Sequence, residues 1–465
     1  MRKKILIGAG VVLLVVVGGC VTLVGPWPTY SSGFENARYY TSAIAAIDDH
    51  AKTSKSTSTP GPLKAGWARQ SITPPAGTPL AGFGDRKGKP STGVHDDVYV
   101  KALVLSDGDD SVAITGADIL IIPNNVADLV REKVGKATPL TPNNILFNAS
   151  HDHSSVGAWG PGFMGEQFSG KFDPKIITFL ADAFSDAIIE AYNAQKPAGV
   201  YHDSVDAKEF IRNRVRSGAP VDSELSFMVV QQDEGDTCYV ASFSAHPTVL
   251  GGGNMQVSGD YPGFLQRKIE SGANAFAMYL GGAVGSMGPN APNAPDAFGR
   301  AQAMGEALAT RILQQAPKPF AKNVDIAAVG IPVEVPPLQL RLNRSWRVSP
   351  YFVNMLGIDD AAWIQSIRVG DLMLVGMPCD FSGEISVKWK AWGKTKNLAL
   401  WNLSFDGDYV GYISPDEYYQ GAGKGEEYEM YLMSWCGPHQ EAFFTSLAKH
   451  MTEAIAPAQA PTPAS

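Results

Sequence analysis

The chain of 465 residues is 45% hydrophobic, 10% aromatic and 18% charged, an ordinary globular composition with length for one large domain or two to three average ones. A formal net charge of −8 and an isoelectric point near 5.5 argue against nucleic acid as a partner. None of Cys20, Cys238, Cys379 and Cys436 sits in a CxxC pair, which argues against a thiolate zinc cluster or a thioredoxin-like centre. In an exported protein one pair could close a disulfide, and the sequence does not choose the pair.

Arg2, Lys3 and Lys4 precede an uncharged apolar run from Ile5 to about Gly25, so residues 1–26 read as a signal peptide or membrane anchor. Val17-Gly18-Gly19-Cys20 has the small residues before a cysteine seen at bacterial lipoprotein cleavage sites, and a run of roughly 20 residues also spans a bilayer. A lipidated anchor at Cys20, an uncleaved helix and a cleaved signal peptide all place the body outside the cytoplasm, on the periplasmic or extracellular face. Residues 27–65 are polar and rich in Ser, Thr and Lys, the composition of a linker or stalk, with a short helix possible over 37–49.

The folded body is expected over 66–456. VYVKALVL and SVAITGADIL are β-branched runs around a Gly-Asp-Asp turn, a hairpin signal. Residues 124–136 are predicted helical, ending at Lys-Val-Gly-Lys; NILFNAS is predicted as a strand, and 175–195 as a long amphipathic helix. Strands are expected at 225–230 and 238–243 around a DEGD turn, and at 275–280, 324–335, 363–376 and 399–403. Helices are expected at 260–271, 296–315, 384–392 and 440–456, before a Pro/Ala tail at 457–465 that reads as disordered. Strands alternating with helices, with hairpins mixed in, predict an α/β fold: mixed β-sheets covered by α-helices in a single large domain.

Apolar runs repeatedly deliver a chemically capable side chain to a loop of small residues, where function concentrates. His151 and His153 follow NILFNAS; residues i and i+2 of an extended segment point the same way, so one could ligate a metal and the other serve as acid/base or substrate contact. The bland alternative is two polar loop residues. His246 ends YVASFSAH ahead of a Gly-rich loop, and is equally readable as a hydrogen-bonded core histidine. Asp380 and Glu384 follow the apolar run 372–377, and either carboxylate could complete a His/His/carboxylate zinc site or simply cap a helix. Tyr409 and Tyr412 lie in a Gly/Asp loop, where tyrosine ordinarily packs.

Taken together, SITPPAGTPLAGFGDR, GVHDDVYVKALVL, NILFNASHDHS, FIRNR, SFSAHPTVLGGGNMQVSGDYPG, GAVGSMGPN, GMPCDFSGE and DYVGYISPDEYYQGAG…GPH resemble, in order from about residue 67 to 440, the catalytic domain of the neutral/alkaline non-lysosomal ceramidase family. The resemblance implies a zinc held by His151, His246, Asp380 and Tyr412, with His153 and Arg214 assisting the reaction or contacting substrate. Tyr412 would also steady the oxyanion. The chain departs from the family pattern in two residues. Asp380 stands where the family carries Glu, which leaves Glu384 as a possible substitute. In Gly285-Ser286-Met287-Gly288-Pro289-Asn290 the family's substrate-contacting Ser falls on Gly288, and Ser286, which falls where the family has Asp, could serve as the substrate contact in its place after a one-turn rearrangement. Family members often carry a C-terminal immunoglobulin-like domain, and none is expected within these residues. The implied activity is zinc-dependent hydrolysis of the N-acyl amide of ceramide or a related lipid amide at a membrane surface, giving fatty acid and amine. The alternatives are a zinc amidohydrolase acting on another N-acyl substrate, and a catalytically silent envelope-binding protein of the same fold.

Overall fold

The computed structural model describes residues 16–29, 33–53, 60–272, 275–356, 358, 361–419 and 428–457. Most of the apolar N-terminal run and the Pro/Ala tail lie outside these residues. Among the described residues no helix is long and apolar enough to cross a membrane.

Eight strands form a mixed sheet: β1 (Lys64–Ser71), β2 (Tyr99–Ser106), β3 (Ser111–Ala117), β4 (Ile145–Leu146), β5 (Lys196–Asp206), β6 (Glu224–Gln232), β7 (Thr237–Phe243) and β8 (Ala275–Gly281). Their order is β8-β7-β6-β5-β1-β2-β3-β4. Four more, β9 (Ile326–Glu334), β10 (Ala361–Val369), β11 (Leu372–Met377) and β12 (Ala399–Ser404), form a second sheet in sequential order. Three neighbouring pairs are parallel: β3 with β4, β7 with β8, and β11 with β12. Both predicted hairpins, β2–β3 and β6–β7, form as expected.

The helices are α1 (Arg38–Thr53), α2 (Asn124–Ala137), α3 (Gly162–Ser169), α4 (Pro174–Asn193), α5 (Asp260–Glu270), α6 (Ala297–Leu313), α7 (Gly383–Thr395) and α8 (Gln440–Ala454). The period of two in each strand divides the cores. On β2, Val100, Ala102 and Val104 face the core shared with α2 and α4, while Leu103 and Leu105 enter the space between the sheets. On β11, Met373, Val375 and Met377 face the core shared with α1, α7 and α8, while Leu372 and Leu374 meet the first sheet. The outer faces of β6–β8 pack on α5 and α6. Two sheets are thus stacked between helical layers, and the predicted α/β class with mixed sheets is what the chain adopts.

Local departures have physical causes. Gly135 does not stop α2, because Val126, Val130 and Val134 are buried along one face and packing outweighs the propensity cost. Of the predicted strand NILFNAS, Ile145–Leu146 pairs with β3 and Ala149 adds an isolated parallel bridge to Ala117, while Asn148 between them uses its side chain on backbone groups of other segments. The segment expected as linker is partly folded in: Phe34, Ala43 and Ile47 are buried in the core of the second sheet. All four cysteines are free thiols, with Cys238, Cys379 and Cys436 buried.

Leu374 is fully buried between the sheets. Leu374→Ala is expected to lower stability by about 2–5 kcal/mol through lost burial and a residual cavity. Leu313→Ala, at the exposed end of α6, should change it by less than about 0.5 kcal/mol. Urea unfolding midpoints compare the two.

Candidate active site

The segments leaving β4, β8 and β12 are clasped by one side chain. The buried Asn148 amide donates to the carbonyls of Gly281 (3.0 Å) and Ser404 (2.8 Å), and its oxygen accepts from Gly281 N–H at 2.6 Å. Ser404 adds a bond from its hydroxyl to Gly282 O at 2.8 Å. The segments leaving β7 and β11 reach the same place, in keeping with the tendency of α/β sheets to build sites beyond the carboxyl ends of their strands.

His151, His153 and His246 meet there, all buried, with one ring nitrogen of each within 4.8 Å of the others. The extended i, i+2 geometry expected for the first two is not what joins them. His151 has φ 66°, in the left-handed region that non-glycine residues rarely adopt and that recurs at functional sites. Its ring stacks on Phe405 at 4.2 Å and meets the His246 ring edge-on at 4.5 Å. His153 packs against Phe83 at 4.7 Å and against Gly82, where a Cβ would stand 2.5 Å from His153 Nδ1.

The hydrogen bonds fix which ring atoms are available. Nδ1 of His151 lies 2.8 Å from Leu120 O, and Nδ1 of His246 lies 3.1 Å from Val284 O. A carbonyl only accepts, so each Nδ1 carries the hydrogen and each Nε2 of a neutral ring presents a lone pair. Burial holds both rings neutral, pushing His151 down to about 3 and His246 well below the usual imidazole range. Those lone pairs face Oδ1 of Asp380, at 3.2 Å from His151 Nε2 and 3.6 Å from His246 Nε2. Asp380 is fully buried, and among the described residues Oδ1 receives no hydrogen bond and neither ring nitrogen of His153 has a partner. A proton on Oδ1 can satisfy one of these acceptors; a divalent cation satisfies all of them, and the donor set of imidazole nitrogens and carboxylate suits zinc.

Burial pushes the Asp380 carboxyl up to about 7, against the bond from Tyr409, the charge of Arg214 and the nearby Tyr412. Tyr409 OH donates to Oδ2 at 2.6 Å. Asp380 and Tyr412 are paired residues of two short parallel strands, Asp380–Phe381 and Tyr412–Ile413, which brings the phenol to the site. Arg214 donates to Tyr412 OH at 3.0 Å and pairs with Glu429 at 3.0 Å. Burial opposes the charge on Arg214, but Tyr412, Glu429 and Asp380 outweigh it and raise its pKa.

His151, His246, Asp380, Tyr412, His153 and Arg214 therefore stand together. Glu384 does not join them: at the start of α7 it accepts from Asn213 at 2.8 Å and from Tyr418. Ser286 lies behind Arg214 rather than in the cavity. Its hydroxyl donates to Glu429 at 2.9 Å and lies 2.9 Å from Ser382 Oγ, and its carbonyl accepts from Arg214 N–H at 2.9 Å. Gly288 pairs with Arg212 in a short antiparallel ladder, and neither residue is among those lining the cavity. Sequence reasoning missed Glu429, which anchors both Arg214 and Ser286, because no apolar run or motif leads into it. Tyr409 was visible only as a packing residue.

His151, His153, Asp380, Tyr409 and Tyr412 floor a cavity of about 190 Å³ whose walls include Leu120, Trp159, Met164, Phe168, Met433 and Trp435. A polar, metal-capable floor under apolar walls fits a substrate with one reactive polar group on an apolar body.

Residues 63–294 match the model of the neutral/alkaline non-lysosomal ceramidase N-terminal domain. The fold is similar to that of neutral ceramidase from Pseudomonas aeruginosa, with TM-score 0.70 and 18% identity over 87% of this chain and 76% of that one. It is also similar to a ceramidase complexed with C2, with TM-score 0.70 and 16% identity over 85% and 75% of the two chains. No curated protein matches the sequence.

Because a ligating Asp380 must be ionised, affinity for a divalent cation is expected to fall as pH drops below about 7, by up to about ten-fold per pH unit. Asp380→Asn should remove that pH dependence and Glu384→Gln should not. Zinc titration calorimetry between about pH 5.5 and 8 reads both.

Proposed function

The chain belongs to the neutral/alkaline non-lysosomal ceramidase family, and we propose that it is a zinc-dependent hydrolase cleaving the N-acyl amide of ceramide or a related lipid amide. The observation that carries this reading is the buried cluster of His151, His246 and Asp380 acceptors with no donor among them, under an apolar-walled cavity.

His151, His246 and Asp380 would hold the zinc, with Tyr412 at its edge. When bound, the zinc supplies a Lewis acid for the amide carbonyl and lowers the pKa of a water molecule. His153 is suited to proton transfer. It is neutral, since burial and the neighbouring His151, Arg214 and Arg86 hold its pKa down, and its ring nitrogens are uncommitted. It accepts a proton as water attacks the carbonyl carbon, and returns it to the departing nitrogen as the C–N bond breaks. The products are a fatty acid and an amine.

Tyr412 remains a neutral phenol, because burial and the adjacent Asp380 push its pKa well above the ordinary value. Arg214, anchored by Glu429, donates to the Tyr412 hydroxyl and holds it towards the oxygen that gains charge. Reaction needs no serine nucleophile, so Gly288 in the place of the family Ser is compatible with activity. The walls of Trp159, Met164 and Phe168 take the acyl chain. A membrane tether supports the same substrate class, since it holds enzyme and lipid at one surface.

Purified protein is expected to contain about one zinc per chain and to release fatty acid from ceramide. His246→Ala should lose both zinc and hydrolysis. His153→Gln should keep zinc while turnover falls by about 10²–10⁴-fold. Metal analysis beside a ceramide-hydrolysis assay checks each, and full activity in a metal-free preparation would overturn the proposal.

A further inference from the structure

The mouth of the cavity is ringed by apolar side chains that the fold does not bury. Phe163, on the α3 helix that supplies the wall residues Met164 and Phe168, is 70% exposed. The turn Val353–Leu356 packs against α3 and carries Met355, 77% exposed, just after Tyr351 at 79%. Tyr428, itself a wall residue, and Leu432, one turn along the same short helix, form a second lip and are half exposed. A loop bridged at Arg341 and Arg347 presents Trp346, and Arg344 Nε in that loop donates to Tyr431 OH at 3.1 Å, tying it to the same lip. Scattered exposed apolar residues are ordinary; several bulky ones around one opening mark an interaction surface.

The N-terminal segment identifies the occupant. Val24 and Gly25 pair antiparallel with Val348 and Arg347, and Ser349 N–H donates to Leu23 O at 2.8 Å. Trp27 meets Tyr351 edge-on at 6.1 Å. Residues 16–23, with Val16, Val17, Val21 and Leu23 exposed, are helical and end at this rim. Before them the sequence is apolar back to Ile5, behind Arg2, Lys3 and Lys4. The chain therefore leaves the body beside the cavity mouth, on the apolar rim.

We propose that this rim is a membrane-docking surface: the N-terminal run seats the protein on a lipid bilayer with Phe163, Trp346, Tyr351, Met355, Tyr428 and Leu432 in the interface, so that the cavity opens directly onto the lipid. Trp and Tyr among them have the amphipathic rings that favour the headgroup level. An acyl amide then enters from the bilayer without crossing water. The docking itself is independent of the chemistry proposed above, and only the second measurement below rests on the lipid-amide reading.

The test uses the full chain in phosphatidylcholine/phosphatidylglycerol vesicles. In a Cys20→Ser background the remaining cysteines are buried, so spin labels can be placed at Tyr351→Cys or Met355→Cys. The control is Glu234→Cys, in the turn at the opposite end of β7 from His246. Rim labels are expected to collide with oxygen in preference to a water-soluble nickel complex, and the control label to show the reverse. Nickel-dominated collisions at both rim sites in vesicle-bound protein would overturn the proposal. So would equal protection of those sites without vesicles in a particle of twice the mass, which makes the rim a contact between two copies. In the second measurement, Trp346→Ser/Tyr351→Ser/Met355→Ser should slow hydrolysis of ceramide in vesicles by about ten-fold and leave a soluble short-chain amide unaffected. If the parent cleaves neither amide, the ceramide reading fails while the spin labels still decide the docking.

Discussion

The carboxylate of Asp380 has one oxygen held and one oxygen bare, and the site depends on that asymmetry. Tyr409 holds Oδ2, while Oδ1 faces two imidazole lone pairs inside the protein. An unsatisfied buried acceptor costs on the order of 1–3 kcal/mol, more when charged, and here several point at one another. These acceptors converge closely enough that one cation could satisfy them together. The carbonyls of Leu120 and Val284 set this arrangement: by accepting from Nδ1 they decide which nitrogen of each histidine looks inward.

Convergence of those groups is a property of the sheets, delivered through Asn148. Its amide spans the ends of β4, β8 and β12, so the loop bearing His151 and His153 is fixed to the end of β8 and to the strand end leading to Phe405. Three left-handed residues, His151, Ser286 and Phe405, sit within this region. Their strain is sustained because the clasp and the surrounding core over-determine the backbone. A second chain of bonds runs from Glu429 through Arg214 to Tyr412 and steadies the phenol.

Much of this was legible in the sequence, and the reasons are uneven. Apolar period marked most strands and helices, because the stacked sheets divide their side chains between cores, but β1, β5 and α3 went unpredicted. His246 and Asp380 were visible as polar residues ending apolar runs. His151 and His153 were found from an extended i, i+2 spacing that the chain does not adopt; the pair meets through a left-handed turn instead. Choosing Asp380 over Glu384 required knowing that Ser382 caps α7, which sends Glu384 into the helix and towards Asn213 and Tyr418. Ser286 looked like a substrate contact by position and is a supporting residue by its bonds. Glu429 had no local signal, since its meaning is entirely its two distant partners.

The two departures from the family pattern differ in weight once the geometry is known. Replacing Glu by Asp at 380 shortens the side chain by one methylene, yet Oδ1 lies within 3.6 Å of both histidines, on a backbone held by its short pairing with Tyr412–Ile413. The Gly at 288 removes a side chain at a place where a Cβ would meet only Arg214 and Arg212 at ordinary contact distances, so no packing requirement explains the glycine. Arg214 is held without it: Ser286 accepts from its backbone N–H and Glu429 accepts from its guanidinium. Gly288 lies outside the cavity lining, so a missing hydroxyl there leaves the metal-capable floor of His151, His153, Asp380 and Tyr412 intact.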